Sequence, residues 1–158
     1  MNRYVKILIL VVICIASGYL GSLATQASVT TWYQTLVKPS FNPPDWLFGP
    51  VWGILYILMG IAGGLVWDQM ESDPERVKKA LTFFAIQLIL NILWSCLFFG
   101  WKNPLLAMFE IALLWLMIYE TWMQFSRIHK VAGYLFIPYL LWVAFAAVLN
   151  ANIWWLNR

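Results

Sequence analysis

The sequence predicts an all-α fold, an integral membrane bundle of five transmembrane helices, and two observations carry that prediction. Hydrophobic residues make up 63% of the 158 and charged residues only 11%. A soluble domain carries about 25% charge, so this chain has too little to cover a water-facing surface. The apolar residues also fall into five runs, at 5–24, 49–67, 80–99, 105–123 and 131–156. Each is near or above the roughly 20 residues that cross a hydrocarbon core.

The first run follows Arg3 and Lys6, as a signal peptide would. It is too long for an ordinary signal core and no small-residue cleavage site follows, so a retained helix is expected. Between the first and second runs lies a loop, 25–48, whose segment WYQTLVKPSFNPPDW holds three prolines and several aromatics. Fixed φ angles stiffen such a loop, which suits a lid over a bundle mouth better than a linker. In the second run Gly53, Gly60 and Gly64 share a face, and the last two form a GxxxG that permits close helix approach. Pro138 lies midway in the fifth and longest run and is expected to bend it. No repeat or linker divides the chain, so 1–158 reads as one domain.

Charge sets the orientation. Arg3, Lys6, Arg76, Lys78, Lys79, Arg127 and Lys130 fall at one end of the bundle, and Lys38, Lys102 and Arg158 at the other. The positive-inside rule then puts the N-terminus in the cytoplasm of a cell membrane, with the 25–48 loop outside. The outer membrane of a bacterium or mitochondrion is the alternative. The cations sit in short gaps between apolar runs, so the partner they imply is a lipid bilayer and not nucleic acid. Cys14 and Cys96 lie in separate apolar runs and His129 is alone, which supports neither a disulfide framework nor a metal site.

Eleven tryptophans are the loudest signal. An aromatic belt would be two-sided, yet Trp32, Trp46, Trp52, Trp94, Trp101, Trp154 and Trp155 fall on or near the loop side. That bias points to a one-sided aromatic site beside the belt. Helical spacing puts Trp52, Tyr56, Met59 and Gly63 on one face, Gln87, Asn91 and Trp94 on another, and Trp142, Ala146, Leu149 and Asn150 on a third. Amides in hydrocarbon point inward, so the Asn91 face and Trp94 should look into the bundle. Glu110, about 9 Å into the fourth run at 1.5 Å per residue, is an intramembrane carboxylate and thus either a site residue or a structural hydrogen-bonding group. Glu120 lies nearer the other end, where it is expected to reach the membrane interface or Arg127. No nucleophile–base pair, metal cluster or phosphate loop is present.

These residues together resemble one family, the translocator proteins, also known as tryptophan-rich sensory proteins or peripheral-type benzodiazepine receptors. The loop's WYxxLxKPxFxPPxW, the GPVWGxLY from Gly49 to Tyr56, LxLNxxW from Leu88 to Trp94, FFG from Phe98 to Gly100, and PYLxWxAFAxxLN from Pro138 to Asn150 match in order. The resemblance implies a five-helix bundle, often dimeric, that needs no cofactor and takes porphyrins as ligands, with sterols and drug-like molecules in many members. It implies a pocket beneath the first loop, with Phe48, Trp52, Asn91, Trp94, Glu110, Trp142, Ala146 and Leu149 in the wall and Trp32, Pro43 and Pro44 in the lid. It implies, as an alternative activity, light-dependent porphyrin breakdown using Trp52 and Trp142. The sequence departs from the pattern in having Glu110 where Asp is usual. Thr82 and Ile86 also stand where a small-residue dimer motif is expected, and no Tyr lies in the last ten residues, where the sterol pattern needs one.

Overall fold

The computed structural model describes all 158 residues. Six α-helices follow in order: α1 (Arg3–Gln26), α2 (Trp32–Thr35), α3 (Asp45–Trp67), α4 (Pro74–Ser95), α5 (Pro104–Ile128) and α6 (Lys130–Leu156), with a π-helical turn, Cys96–Gly100, extending α4. There are no strands. Five of these helices, all but α2, are long and apolar enough to cross a membrane. The protein is a multi-pass integral membrane protein.

Several boundaries differ from those expected. α4 begins at Pro74 and not near 80, because Asp73 caps it by accepting from the Arg76 N–H and Pro74 suits the first turn. Asn103 and Pro104 start α5 in the same way. The loop is shorter than 25–48: α1 runs on to Gln26, α3 starts at Asp45, and the single turn of α2 interrupts what remains. α5 and α6 are separated by His129 alone, which ends one and begins the other.

The five long helices close into a ring in the spatial order α1, α3, α6, α5, α4, with α4 returning to α1. α1 and α3 approach most closely where glycine removes the side chain. A Cβ on Gly60 would strike the backbone of Val11, and one on Gly64 that of Ile7. The GxxxG of the second run therefore serves contact inside the bundle. The same end is held by Asp68, just past α3, which accepts from Arg3 at 2.7 Å and Lys6 at 3.1 Å. Those two cations hold its carboxyl below the usual carboxylate range, the Arg3 hydrogen bond contributing most. Glu120, expected to reach the interface or Arg127, accepts from Gln124 at 2.8 Å, a turn along its own helix.

The interior of this Asp68 end is filled by aromatic packing. Phe84 and Phe125 stack with centroids 5.6 Å apart, and Phe136 meets both edge-on or tilted. Toward the loop end the packing gives way to a cavity.

Candidate functional site

The floor of that cavity is a hydrogen-bonded chain. The Tyr56 hydroxyl donates to Asn91 Oδ1 at 3.2 Å, Asn91 Nδ2 donates to the Tyr139 hydroxyl at 2.7 Å, and Tyr139 donates to Gln87 Oε1 at 2.6 Å. The network joins α3, α4 and α6, and leaves these amides paired where hydrocarbon would otherwise penalise them. The inward face expected for Gln87 and Asn91 is thus present.

Above the floor the cavity measures about 510 Å³, within the range of pockets that hold drug-sized ligands. Aromatic faces dominate its walls. Trp52 stacks on Tyr56 at 5.6 Å and meets Tyr139 edge-on at 6.2 Å. Trp94 stacks on Phe98 at 5.2 Å, and Phe48 meets Trp142 edge-on at 6.1 Å. Trp94 is aimed by Asn150, whose Oδ1 accepts from the indole N–H at 2.9 Å while its Nδ2 donates to the Pro104 carbonyl at 2.8 Å. One asparagine therefore sets a wall residue and ties α6 to the start of α5.

Seven of the expected site residues line the cavity together: Phe48, Trp52, Asn91, Trp94, Trp142, Ala146 and Leu149. Four do not. Trp32 lies behind the wall, edge-on to Phe98 at 5.7 Å. Pro43 and Pro44 belong to the turn that leads into α3, where Pro44 takes the cap position, while their neighbours Asn42 and Asp45 reach the lining. Glu110 is buried, 8% exposed, outside the lining, and neither of its oxygens has a hydrogen-bond partner.

The structure adds residues that the sequence reading did not assign to the site. Phe98 and Phe99 both reach the cavity because the π turn, closed by the Trp101 N–H on the Cys96 carbonyl at 2.8 Å, re-aims the end of the fourth-element helix. Nothing in CLFFG signals that turn. Tyr33, Asn42 and Asp45 come from the loop and its junction with α3. Tyr33 is 5% exposed and lies 5.5 Å from Phe99, with the Lys38 ammonium 4.6 Å over its ring. Burial raises its phenol above the ordinary range.

The loop is fastened at three points. The Ser28 hydroxyl donates to the Phe99 carbonyl at 2.7 Å, Gln34 Nε2 donates to Asp45 at 2.7 Å, and Val37 is held from both sides by Asn157. The Val37 N–H donates to Asn157 Oδ1 at 2.9 Å and its carbonyl accepts from Nδ2 at 2.8 Å.

A family model described as TspO/MBR matches residues 10–156. The chain is 46% identical over 158 residues to the "Tryptophan-rich protein TspO" of Chlorobaculum tepidum, covering 99% of each. It is 40% identical over 126 residues to the "Tryptophan-rich sensory protein" of Cereibacter sphaeroides, covering 80% of this chain and 77% of that one. To the human "Translocator protein" it is 35% identical over 136 residues, 86% of this chain and 80% of the relative. With a match that runs across nearly its whole length, the chain belongs to the TspO/MBR family.

Proposed function

We propose that this protein is a membrane receptor or carrier that binds porphyrins, and other flat apolar ligands, in the aromatic cavity beneath its first loop. The observation that supports this most is the convergence of Trp52, Trp94 and Trp142, from three different helices, on one cavity. A macrocycle gains from stacking on such faces. The Trp142 indole N–H is buried without a partner in the protein, an orphan donor that a ligand carboxylate or carbonyl can satisfy. The relatives' names speak of sensing and translocation, and both roles begin with a held ligand. In this reading the N-terminus is cytoplasmic, the membrane is the cell membrane, and the loop covers the outer face as a lid.

Titration with protoporphyrin IX in detergent, in darkness, tests the binding. Saturable quenching of tryptophan fluorescence is expected. Each of Trp52→Phe and Trp142→Phe should weaken it only modestly, since stacking is worth about 0.5–1.5 kcal/mol beyond area burial. Absence of saturable quenching in the wild type overturns the porphyrin reading. A second reading, light-driven porphyrin breakdown, draws support from Trp52 and Trp142 lining the same cavity. Indole donates an electron to an excited porphyrin far more readily than a phenyl ring. The two Trp→Phe variants should then bind in darkness yet lose most bleaching under light, and bleaching at the wild-type rate in both excludes that chemistry.

A further inference from the structure

The cavity is lined between α1 and α3 by residues that fill little of the space between the two helices. Ile15 and Tyr19 on α1 and Gly49 and Gly53 on α3 all line the cavity. All four are also exposed, Ile15 by 47% and Tyr19 by 63%. The glycines explain how this arises. Gly49, Gly53, Gly60 and Gly64 recur at helical spacing along one face of α3, the face turned toward α1. At Gly60 and Gly64 the α1 backbone occupies the notch, and at Gly18 the Tyr56 ring fills the space between the helices. At Gly53 and Gly49 an added Cβ would meet no atom within 4 Å. The stripe that zips the two helices at one end is bare at the other.

The depth of the gap decides what it opens onto. Gly53 lies eight residues into α3 from Asp45, about 12 Å at 1.5 Å per residue, and Tyr19 lies about 10 Å from the end of α1 at Gln26. The hydrocarbon half-thickness is about 15 Å, so the gap falls within the loop-side leaflet. The water side is differently built. There the loop is hydrogen-bonded to the π turn, to Asp45 and to Asn157, and Tyr33 is buried beneath it. A molecule arriving from water must break these bonds. One arriving from the bilayer passes only Tyr19, Ile15 and two glycines.

We propose that the cavity is loaded sideways from the bilayer through this mouth between α1 and α3, and that its ligand is therefore a lipid-dissolved amphiphile. It slides in with its flat apolar body leading toward Trp52 and Trp142, and its polar end stays near Ser22, Thr25 and Asn42 at the loop side of the lining. This rests on the reading of the cavity as a ligand site, and two arms of one experiment separate them. In the first, Gly53→Cys in a Cys14→Ala, Cys96→Ser background carries a nitroxide label in the full chain reconstituted in liposomes. Its collisions with oxygen, which partitions into lipid, and with a water-soluble nickel chelate are measured by electron paramagnetic resonance. High oxygen and low nickel collision is expected. High nickel collision makes the mouth aqueous, and low values for both make it closed; either overturns the proposal whatever the ligand.

In the second arm, liposomes carrying protoporphyrin IX in their bilayer are mixed with wild type and with Gly53→Trp. An added Cβ at Gly53 meets no atom within 4 Å, and helix content by circular dichroism checks that the variant folds. Uptake slowed by roughly tenfold or more in Gly53→Trp is expected, and uptake at the wild-type rate overturns the lateral route. If the wild type takes up no porphyrin, the ligand assignment fails while the nitroxide arm still decides the mouth.

Discussion

At the scale of single residues, Glu110 and Trp142 stand out as the two whose buried side-chain atoms lack partners, and their settings differ. Trp142 lines the cavity, so its donor has a use once a ligand is present. Glu110 lies outside the lining of that cavity and meets no side chain that bonds it, so its cost has no local return. Leaving a buried polar group unsatisfied costs about 1–3 kcal/mol. Glu110→Leu, close in shape and without polar atoms, should therefore raise the thermal unfolding midpoint in detergent and leave porphyrin affinity unchanged. A lowered midpoint would show that the carboxyl makes a stabilising contact in the membrane. The sequence made Glu110 visible but could not place it, because spacing along one helix says nothing of which neighbour a side chain meets. The opposite holds for Asn150. Its spacing put it on the Trp142 face, yet its part in aiming Trp94 depends on a helix 56 residues away in sequence.

Among the elements, the long helices were legible and the connections were not. An apolar run must become a helix in lipid because every backbone group needs an internal partner, so five runs became five helices with only their ends misjudged. The ends depend on caps such as Asp73 and Asn103, which lie outside the apolar runs. The π turn and α2 carry no compositional mark, and they bring Phe98, Phe99 and Tyr33 to the site. The loop's stiffness was read from its prolines, yet its position owes as much to hydrogen bonds from distant elements. Asn157 at the end of α6 holds both backbone groups of Val37 and also donates to the Ile153 carbonyl at 2.7 Å. Asn157→Ala removes that two-sided clasp. Each lost bond is worth about 0.5–1.5 kcal/mol net, and this site is exposed, so the low end applies. The Val37 amide should exchange its hydrogen faster and ligand should dissociate sooner, while helix content by circular dichroism stays the same. Unchanged exchange at Val37 would mean that the loop is held by its other ties.

For the whole molecule, the position of the cavity follows from an uneven filling of one ring. Toward the Asp68 end, Phe84, Phe125 and Phe136 close the interior. Toward the loop, the walls present Gly18, Gly21, Gly49, Gly53 and Ala146 between the large aromatics, and space remains. Periodicity shows which face of a helix turns inward but not which end of the bundle is full, so the pocket's end was legible only through the one-sided tryptophans, the proline-rich loop and the family resemblance. Orientation in the bilayer is a separate matter, and the two ways of counting charge disagree about it. On net charge, leaving aside Glu110 and Glu120 inside α5, the Arg3 end holds seven cations less Asp68, Glu71, Asp73 and Glu75, and the loop end three less Asp45, which leaves +3 against +2. That is almost no signal. Counting Lys and Arg alone gives seven against three, and acidic residues contribute little to topology, so the second count should govern. On that count the loop is expected to face outward and the Asp68 connection the cytoplasm. In a Cys14→Ala, Cys96→Ser background, Ser40→Cys should react with a membrane-impermeant thiol reagent added to intact cells, and Ser72→Cys only after the membrane is opened. Both positions are exposed, so a failure to label reflects the side of the membrane and not burial. Labelling of Ser72→Cys in intact cells, with Ser40→Cys protected, would reverse the orientation and place the fastened loop in the cytoplasm.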